Sequence, residues 1–363
     1  MRHRGIGIDT YGDLSRMVQE SKVEFRKLQV TGGSTYIVSL PKNWIKANNL
    51  NPSDIVSVEQ LPSGEVQISP HEVKETRRNV KIDLAKYPPA ALYDCLVGAY
   101  VSGADNISVV SNDGLSSKDR RTIRQFLRDT RGMEISEDDV KSLSIVSLLN
   151  PNELPLQVSL NRMYLLVTSL VEDALAVLEG EDADLLSDYD DRERQIDARR
   201  LLINRQVSMV LQNQQVEREI GINRYSAMEH SVMAHYFERM GDHANTLARI
   251  ITELDGELNL SIGAAPLSFL PVWLGALRDI VRNMYSKEIR VLTEGKTNLE
   301  EAISALGEHE EKLMATSKQR SELLVEFRIS EITRRLCGYT IDMTETLINM
   351  LLSSRTNIGT IED

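Results

Sequence analysis

The chain has 363 residues, 41% of them hydrophobic, which exceeds the size at which one hydrophobic core stops growing and implies two or three domains. Charged residues make up 26% and aromatic residues only 5%, with 12 Met, a composition of packed helices and not of an all-β fold. The net charge of −12 excludes a protein whose whole surface holds nucleic acid, and no apolar run reaches the roughly 18 residues that span a bilayer.

The opening "MRHRGIGIDTYGDLSRM" has no apolar stretch of the kind a secretory signal needs, so residues 1–23 read as an N-terminal extension of a cytoplasmic protein. Cys95 and Cys337 fall on different predicted helices and read as reduced core residues. Charge is unevenly spread. Lys22 to Ser53 holds five bases (Lys22, Arg26, Lys27, Lys42, Lys46) against Glu24, whereas Glu179 to Asp197 holds nine acids against two arginines.

Residues 24–70 read as a strand, "FRKLQVTGGSTYIVSLP", a short helix "KNWIKANNL" starting near Pro41, and a hairpin "DIVSVEQLPSGEVQIS" turning at Ser63-Gly64. A unit this small needs a partner chain for its core. Residues 71–155 alternate as an α+β linker domain: strands at "NVKIDL" and "NISVVS", helices at "PPAALYDCLVGAYVSGA" and "SSKDRRTIRQFLRDTRG", a closing strand pair at "GMEISEDDVKSLSIVSLL", and a turn at Asp113-Gly114.

From "NPNELP" onward the period is helical, over about 160–180, 183–214, 217–254, 266–295, 299–320 and 321–354, with breaks at Gly180, Gly221, Gly256 to Pro266, and Gly295. Six helices in two sets of three imply tandem bundles over about 156–256 and 264–356, within a region 156–363. "AVLEGEDADL" from Ala176 and "RVLTEGKTNL" from Arg290 read as the ends of equivalent first helices in an internal repeat. Trp44 and Trp273 read as packing anchors and His309 as solvated.

At about 100° per residue, Tyr236, Met240, Ala244, Leu247 and Ile251 form a core face, and Glu238 and Asp242 stack on nearly the opposite one, beside His235, pointing outward. On the preceding helix Tyr189, Ile196, Ile203 and Val207 face the core, with Asp190, Glu193 and Asp197 on the flank. If the two helices are antiparallel neighbours, four carboxylates meet, and a multivalent cation is the natural compensation. Oxygen ligands suit hard cations such as magnesium, and His235 or His243 would extend the choice to iron, manganese or zinc. The other reading is a solvated face neutralised by Arg192, Arg194 and Arg239.

"YFERMGDHANTLARII" resembles the E-R-x-G-D-x-A-x-x-I/L signature of the PhoU phosphate-uptake regulators. The resemblance covers about residues 160–354. It implies two tandem three-helix bundles with metals held on E/D-x-x-x-D motifs; Glu193 and Asp197 match one motif, Glu238 and Asp242 the other. In "EITRRLCGYTIDMTETL" Arg334 and Gly338 replace the acids, which implies that the second site is lost. "RKLQVTGGSTYIVSLPKNWIKANNLNPSDIVSVEQ" is similar to the AbrB/MazE/SpoVT swapped-hairpin domain, which implies a β-barrel interleaved from two chains and DNA contacts by Arg26, Lys27, Lys42 and Lys46. Ser34 stands where many relatives carry arginine. Independently of the resemblance, Gly32, Gly33, Ser34 and Thr35 can offer amides and hydroxyls to a phosphate.

The whole then resembles archaeal-type PhoU transcription regulators: a multidomain α+β chain, dimeric through its AbrB-like part, binding double-stranded DNA and sensing phosphate or metal. The alternative is a protein-interaction regulator of a phosphate transporter or sensor kinase, with the small barrel only dimerising. No nucleophile with a base and no P-loop is evident, so the chain is not expected to be an enzyme.

Overall fold

The computed structural model describes residues 24–61, 64–70, 77–148, 155–254, 260–286, 288–316 and 320–354. The chain divides into two compact units near residue 75. The expected extension 1–23 and Ser63 lie outside the described residues.

In the first unit Gly32 (φ 59°) and Gly33 (φ 87°) occupy the left-handed region that glycine tolerates, so the stretch read as one strand folds back as two. β1 (Gln29–Thr31) pairs antiparallel with β2 (Thr35–Ile37). Helix α1 (Lys42–Ala47) starts directly after Pro41, whose carbonyl accepts from Ile45 N–H at 3.1 Å. β3 (Val56–Gln60) and β4 (Val66–Pro70) form a second antiparallel pair, closed by Gly64 at φ 87°. Within this single chain the two hairpins are separate sheets, and no closed barrel forms among the described residues. None of the described residues of this unit is buried. Phe25, Tyr36, Ile55 and Val58 are each 65–93% exposed, and Trp44 is half-buried.

The second unit begins with β5 (Asn79–Asp83), α2 (Leu92–Val101), β6 (Asn106–Val110), α3 (Ser117–Asp129), β7 (Met133–Asp138) and β8 (Ser142–Ser147). The sheet order is β5-β6-β8-β7; β5 and β6 are parallel across the α2 crossover and the other pairs are antiparallel. A capping box between Ser116 and Asp119 starts α3. Asp113 and Gly114 (φ 92°) make the expected turn. The sheet buries Ile107, Val109, Leu143 and Ile145 against Leu96, Tyr100, Ile123 and Phe126 of the two helices.

The rest is helical: α4 (Leu156–Leu178), α5 (Tyr189–Gln212), α6 (Gln214–Ile220), α7 (Arg224–Glu253), α8 (Phe269–Ser286), α9 (Ile289–Met314) and α10 (Arg320–Ser353). Asn223 caps α7, its side-chain oxygen accepting from Ser226 N–H at 2.8 Å. α4, α5 and α7 form one bundle and α8, α9 and α10 another, with α7 packed against α4, α5 and α10. One hydrophobic core runs through both. Trp273 is fully buried, its Nε1–H donating to Thr340 Oγ1 at 2.9 Å.

Several boundaries differ from the sequence reading. A 3-10 turn over Ala183–Leu186 precedes α5, which starts only at Tyr189, where Asp190 and Asp191 suit the positive end of a helix. Gly295 does not end a helix; it is buried inside α9, where a Cβ would lie 3.7 Å from Ile280 Cγ1. α8 ends at Ser286 and α9 begins at Ile289 instead. Arg290 therefore opens α9 while Ala176 closes α4, so "RVLTEGKTNL" and "AVLEGEDADL" are not structural equivalents.

The α+β module and the first bundle belong to one unit, and α5 joins them. Its Leu201 sits in the module's core. Its Arg205, 3% exposed, donates through Nη1 to the carbonyls of Tyr100 (2.8 Å) and Ala104 (2.9 Å), and the guanidinium lies 5.1 Å from the Tyr100 ring centroid.

Candidate functional site

α5 and α7 run side by side, and Gly241 makes the approach close: a Cβ there would sit 2.9 Å from Ile196 Cδ1. This brings Asp197 of α5 together with Glu238 and Asp242 of α7, one oxygen from each lying within 4.8 Å of the others. The acids do not point outward as the helical wheel implied. Because α7 has three helical neighbours, its supposed outer face is a seam, and the Glu238 and Asp242 side chains are only 16% and 32% exposed.

Burial raises the Asp197 carboxyl to about 6, with the charges of Glu238 and Asp242 adding to it. Asp242 is raised by burial and then by Glu238, against the opposing pull of Arg239. Glu193 stands outside the close group but within its field: burial first, then Asp197, Asp242 and Asp190, lift it to about 7, and it accepts a hydrogen bond from buried Asn245.

The expected neutralisation by arginine is mostly elsewhere. Arg192 pairs with Asp173 and Asp188, and Arg194 with Asp191. Arg239 does reach Asp242, at 2.8 Å. Arg200, which the sequence reading missed, lies 3.6 Å from Glu238; its position one helical turn beyond Asp197 was the available signal. His235, 60% exposed, is 3.3 Å from Glu238, whereas His243 stacks on Tyr339 of α10. A half-buried oxygen set of three carboxylates, of which Asp197 and Asp242 have raised proton affinity, fits a hard cation better than a soft one.

The corresponding seam of the second bundle is neutralised internally. Arg334 lies 3.5 Å from Glu310 and pairs with Glu331, which also holds Arg335 at 2.8 Å. His309 is not solvated; it is 18% exposed and 3.2 Å from Glu326.

In the first unit Arg26 and Lys27 precede β1, Ser34 lies in the glycine turn, Thr35 opens β2, and Lys42 and Lys46 flank α1. All six are exposed. Arg26 is paired with Glu24, while Lys27, Lys42 and Lys46 make no ion pair among the described residues.

These two features coincide with two family matches. Residues 160–251, from α4 to α7, match the PhoU domain. Residues 29–76 match the family described as antidote-toxin recognition MazE, bacterial antitoxin. The chain thus joins a MazE/AbrB-like segment to a PhoU segment that contains the carboxylate seam. No curated protein matches the chain. Among solved structures it is similar to the phosphate transport system regulatory protein PhoU from Streptococcus pneumoniae, at 15% identity and a TM-score of 0.43, over 56% of this chain and 96% of that one. No described helix is long and apolar enough to cross a membrane.

Proposed function

We propose that this protein is a cytoplasmic, DNA-binding transcription regulator of phosphate uptake, dimeric through residues 24–70, whose PhoU-like half senses phosphate or metal. The observation that carries this reading is the joining, in one chain, of a PhoU segment to a MazE-like unit that buries none of its described residues and displays lysines that make no ion pair among the described residues. Such a unit gains a core by interleaving with a second copy, and doubling it doubles the cations available to a duplex. Arg26, Lys27, Lys42 and Lys46 contact phosphates, with Ser34 and Thr35 adding hydroxyl and amide donors at the turn.

In the helical half Asp197, Glu238 and Asp242 hold a divalent or trivalent metal (magnesium, manganese, iron or zinc), with Glu193 at the rim. The cation relieves the repulsion among half-buried carboxylates, and so ties α5 to α7. Fluorescence anisotropy with a labelled promoter of phosphate-transport genes tests the DNA-binding part. Specific binding at physiological salt is expected, and binding no tighter than to random competitor would overturn it.

A second reading, a regulator acting by docking on a transporter or sensor kinase, is favoured by the exposed acids between Glu179 and Asp191. Regulation in cells that survives Arg26→Ala with Lys46→Ala would select it.

A further inference from the structure

Helix α3 of the α+β module carries a cationic row that the DNA-binding reading does not use. At about 100° per residue, Arg121, Arg124 and Arg128 fall within about 60° of arc, with Lys118 about 60° beyond Arg121, and buried Ile123 and Phe126 lie on the opposite side. All four cations are exposed, and among the described residues none of them makes an ion pair. Arg120, on one flank, differs: it pairs with Asp138 of β7 and donates to the Asp139 carbonyl at 2.6 Å. Arg128 is oriented by Gln125, whose side-chain oxygen accepts from it while its amide donates to Asp129 at 2.9 Å.

The row destabilises its own helix. Lys118 and Arg121, Arg121 and Arg124, and Arg124 and Arg128 are like-charged neighbours three or four residues apart, and Lys118 stands in the first turn, at the positive end of the helix dipole. A ligand carrying a row of negative charges relieves that repulsion.

The shape of the row selects the ligand. Acids stand on both flanks: Asp138 and Asp139 beyond Arg120, and Asp129 with Asp191 of α5 beside Gln125 and Arg128. A double helix, charged on two strands, would meet those acids, whereas a single file of phosphates would not. Single-stranded nucleic acid is held by aromatic side chains on which bases stack, and a protein partner by apolar anchors. The row has neither, only Ser117 and Gln125 between its cations. What fits is a phosphate chain without bases.

We propose that Arg121, Arg124 and Arg128, with Lys118 at one end, bind linear inorganic polyphosphate. From Arg121 to Arg128 the row rises about 10 Å, and each guanidinium forks onto a pair of oxygens along an extended chain. The inference deepens the sensing half of the function proposed above by making the effector a phosphate polymer.

Isothermal titration calorimetry of the full chain with size-fractionated polyphosphate, in chloride without divalent cations, is expected to show saturable binding. The logarithm of its binding constant is expected to fall against the logarithm of salt concentration with a slope of about −2 to −3. Arg121→Gln/Arg124→Gln/Arg128→Gln, at exposed positions that leave Ile123 and Phe126 in place, is expected to weaken binding roughly tenfold or more and to bring the slope near zero. The corresponding lysine triple is expected to keep the slope; its loss there too would mean that the changes act on the fold, and would overturn the site. Orthophosphate, which fills one fork, is expected to compete poorly.

Absence of saturable binding, an unchanged affinity in the glutamine triple, or binding lost instead with Lys42→Ala/Lys46→Ala overturns the site, as does oligothymidylate bound more tightly than polyphosphate. Specific promoter binding with no polyphosphate binding removes this inference and keeps the regulator reading; polyphosphate binding with no specific promoter binding does the reverse.

Discussion

Three carboxylates sharing a seam repel unless a proton or a cation lies among them, and that competition sets the first prediction. Glu193 rises from 4.5 to about 7 and Asp197 from 3.8 to about 6. Between the unfolded and folded values the native state holds more protons than the unfolded chain, so stability falls as pH rises through this window. Metal-free protein is therefore expected to be less stable near pH 8 than near pH 5, with these two groups contributing about 1–2 kcal/mol after allowance for solvent screening. Comparing pH-dependent denaturant unfolding of the parent with Glu193→Gln/Asp197→Asn isolates that contribution; an unchanged slope in the double variant would refute it. A divalent cation added at the higher pH is expected to restore the lost stability, and Asp242→Asn to blunt the effect.

At the scale of elements, Gly241 and Arg205 set the spacing of neighbours. Gly241→Val drives a branched side chain into buried Ile196 and is expected to destabilise by about 1–3 kcal/mol. It should also weaken metal binding, because it separates Asp197 from Glu238 and Asp242; unchanged metal affinity would argue against the α5–α7 seam as the site. Arg205→Ala removes the donor to two buried carbonyls and is expected to cost about 3 kcal/mol, with the α+β module losing hydrogen-exchange protection before the bundles do. Much of this architecture was legible. The glycine breaks at Gly180 and Gly221 fall between helices, and the Ser116–Asp119 cap marks the start of α3. Gly295 misled because a glycine inside a helix lowers its propensity without ending it; a Cβ there would meet Ile280 only in ordinary contact, so no close packing requires it. The wheel drawn for α7 misled because it assumed one buried face, whereas Ala227, Phe237, Ala244 and Asn245 are buried on different sides. Arg205 gave no local signal at all, since its partners lie about a hundred residues earlier.

At the scale of the whole molecule, if an acidic chain of net charge −12 binds DNA as proposed, it does so through its cationic end, and both assembly and salt dependence follow from that. The first unit leaves Tyr36, Ile55 and Val58 exposed, so Val58→Asp should abolish dimerisation in sedimentation equilibrium and with it the tight binding to duplex DNA. Among the described residues Lys27, Lys42 and Lys46 make no ion pair, whereas Arg26 is engaged by Glu24, and the proposed dimer would carry each of them twice. If these six lysines each neutralise one phosphate, the logarithm of the binding constant falls against the logarithm of salt concentration with a slope of about −5. Lys46→Ala removes two contacts per dimer and is expected to move that slope toward zero by about 2, uniformly across DNA sequences. Arg26→Ala is expected to move it less, because the guanidinium must first give up Glu24. A slope that is unchanged by Lys46→Ala while dimerisation persists would mean that the basic residues of this end serve solubility and not DNA.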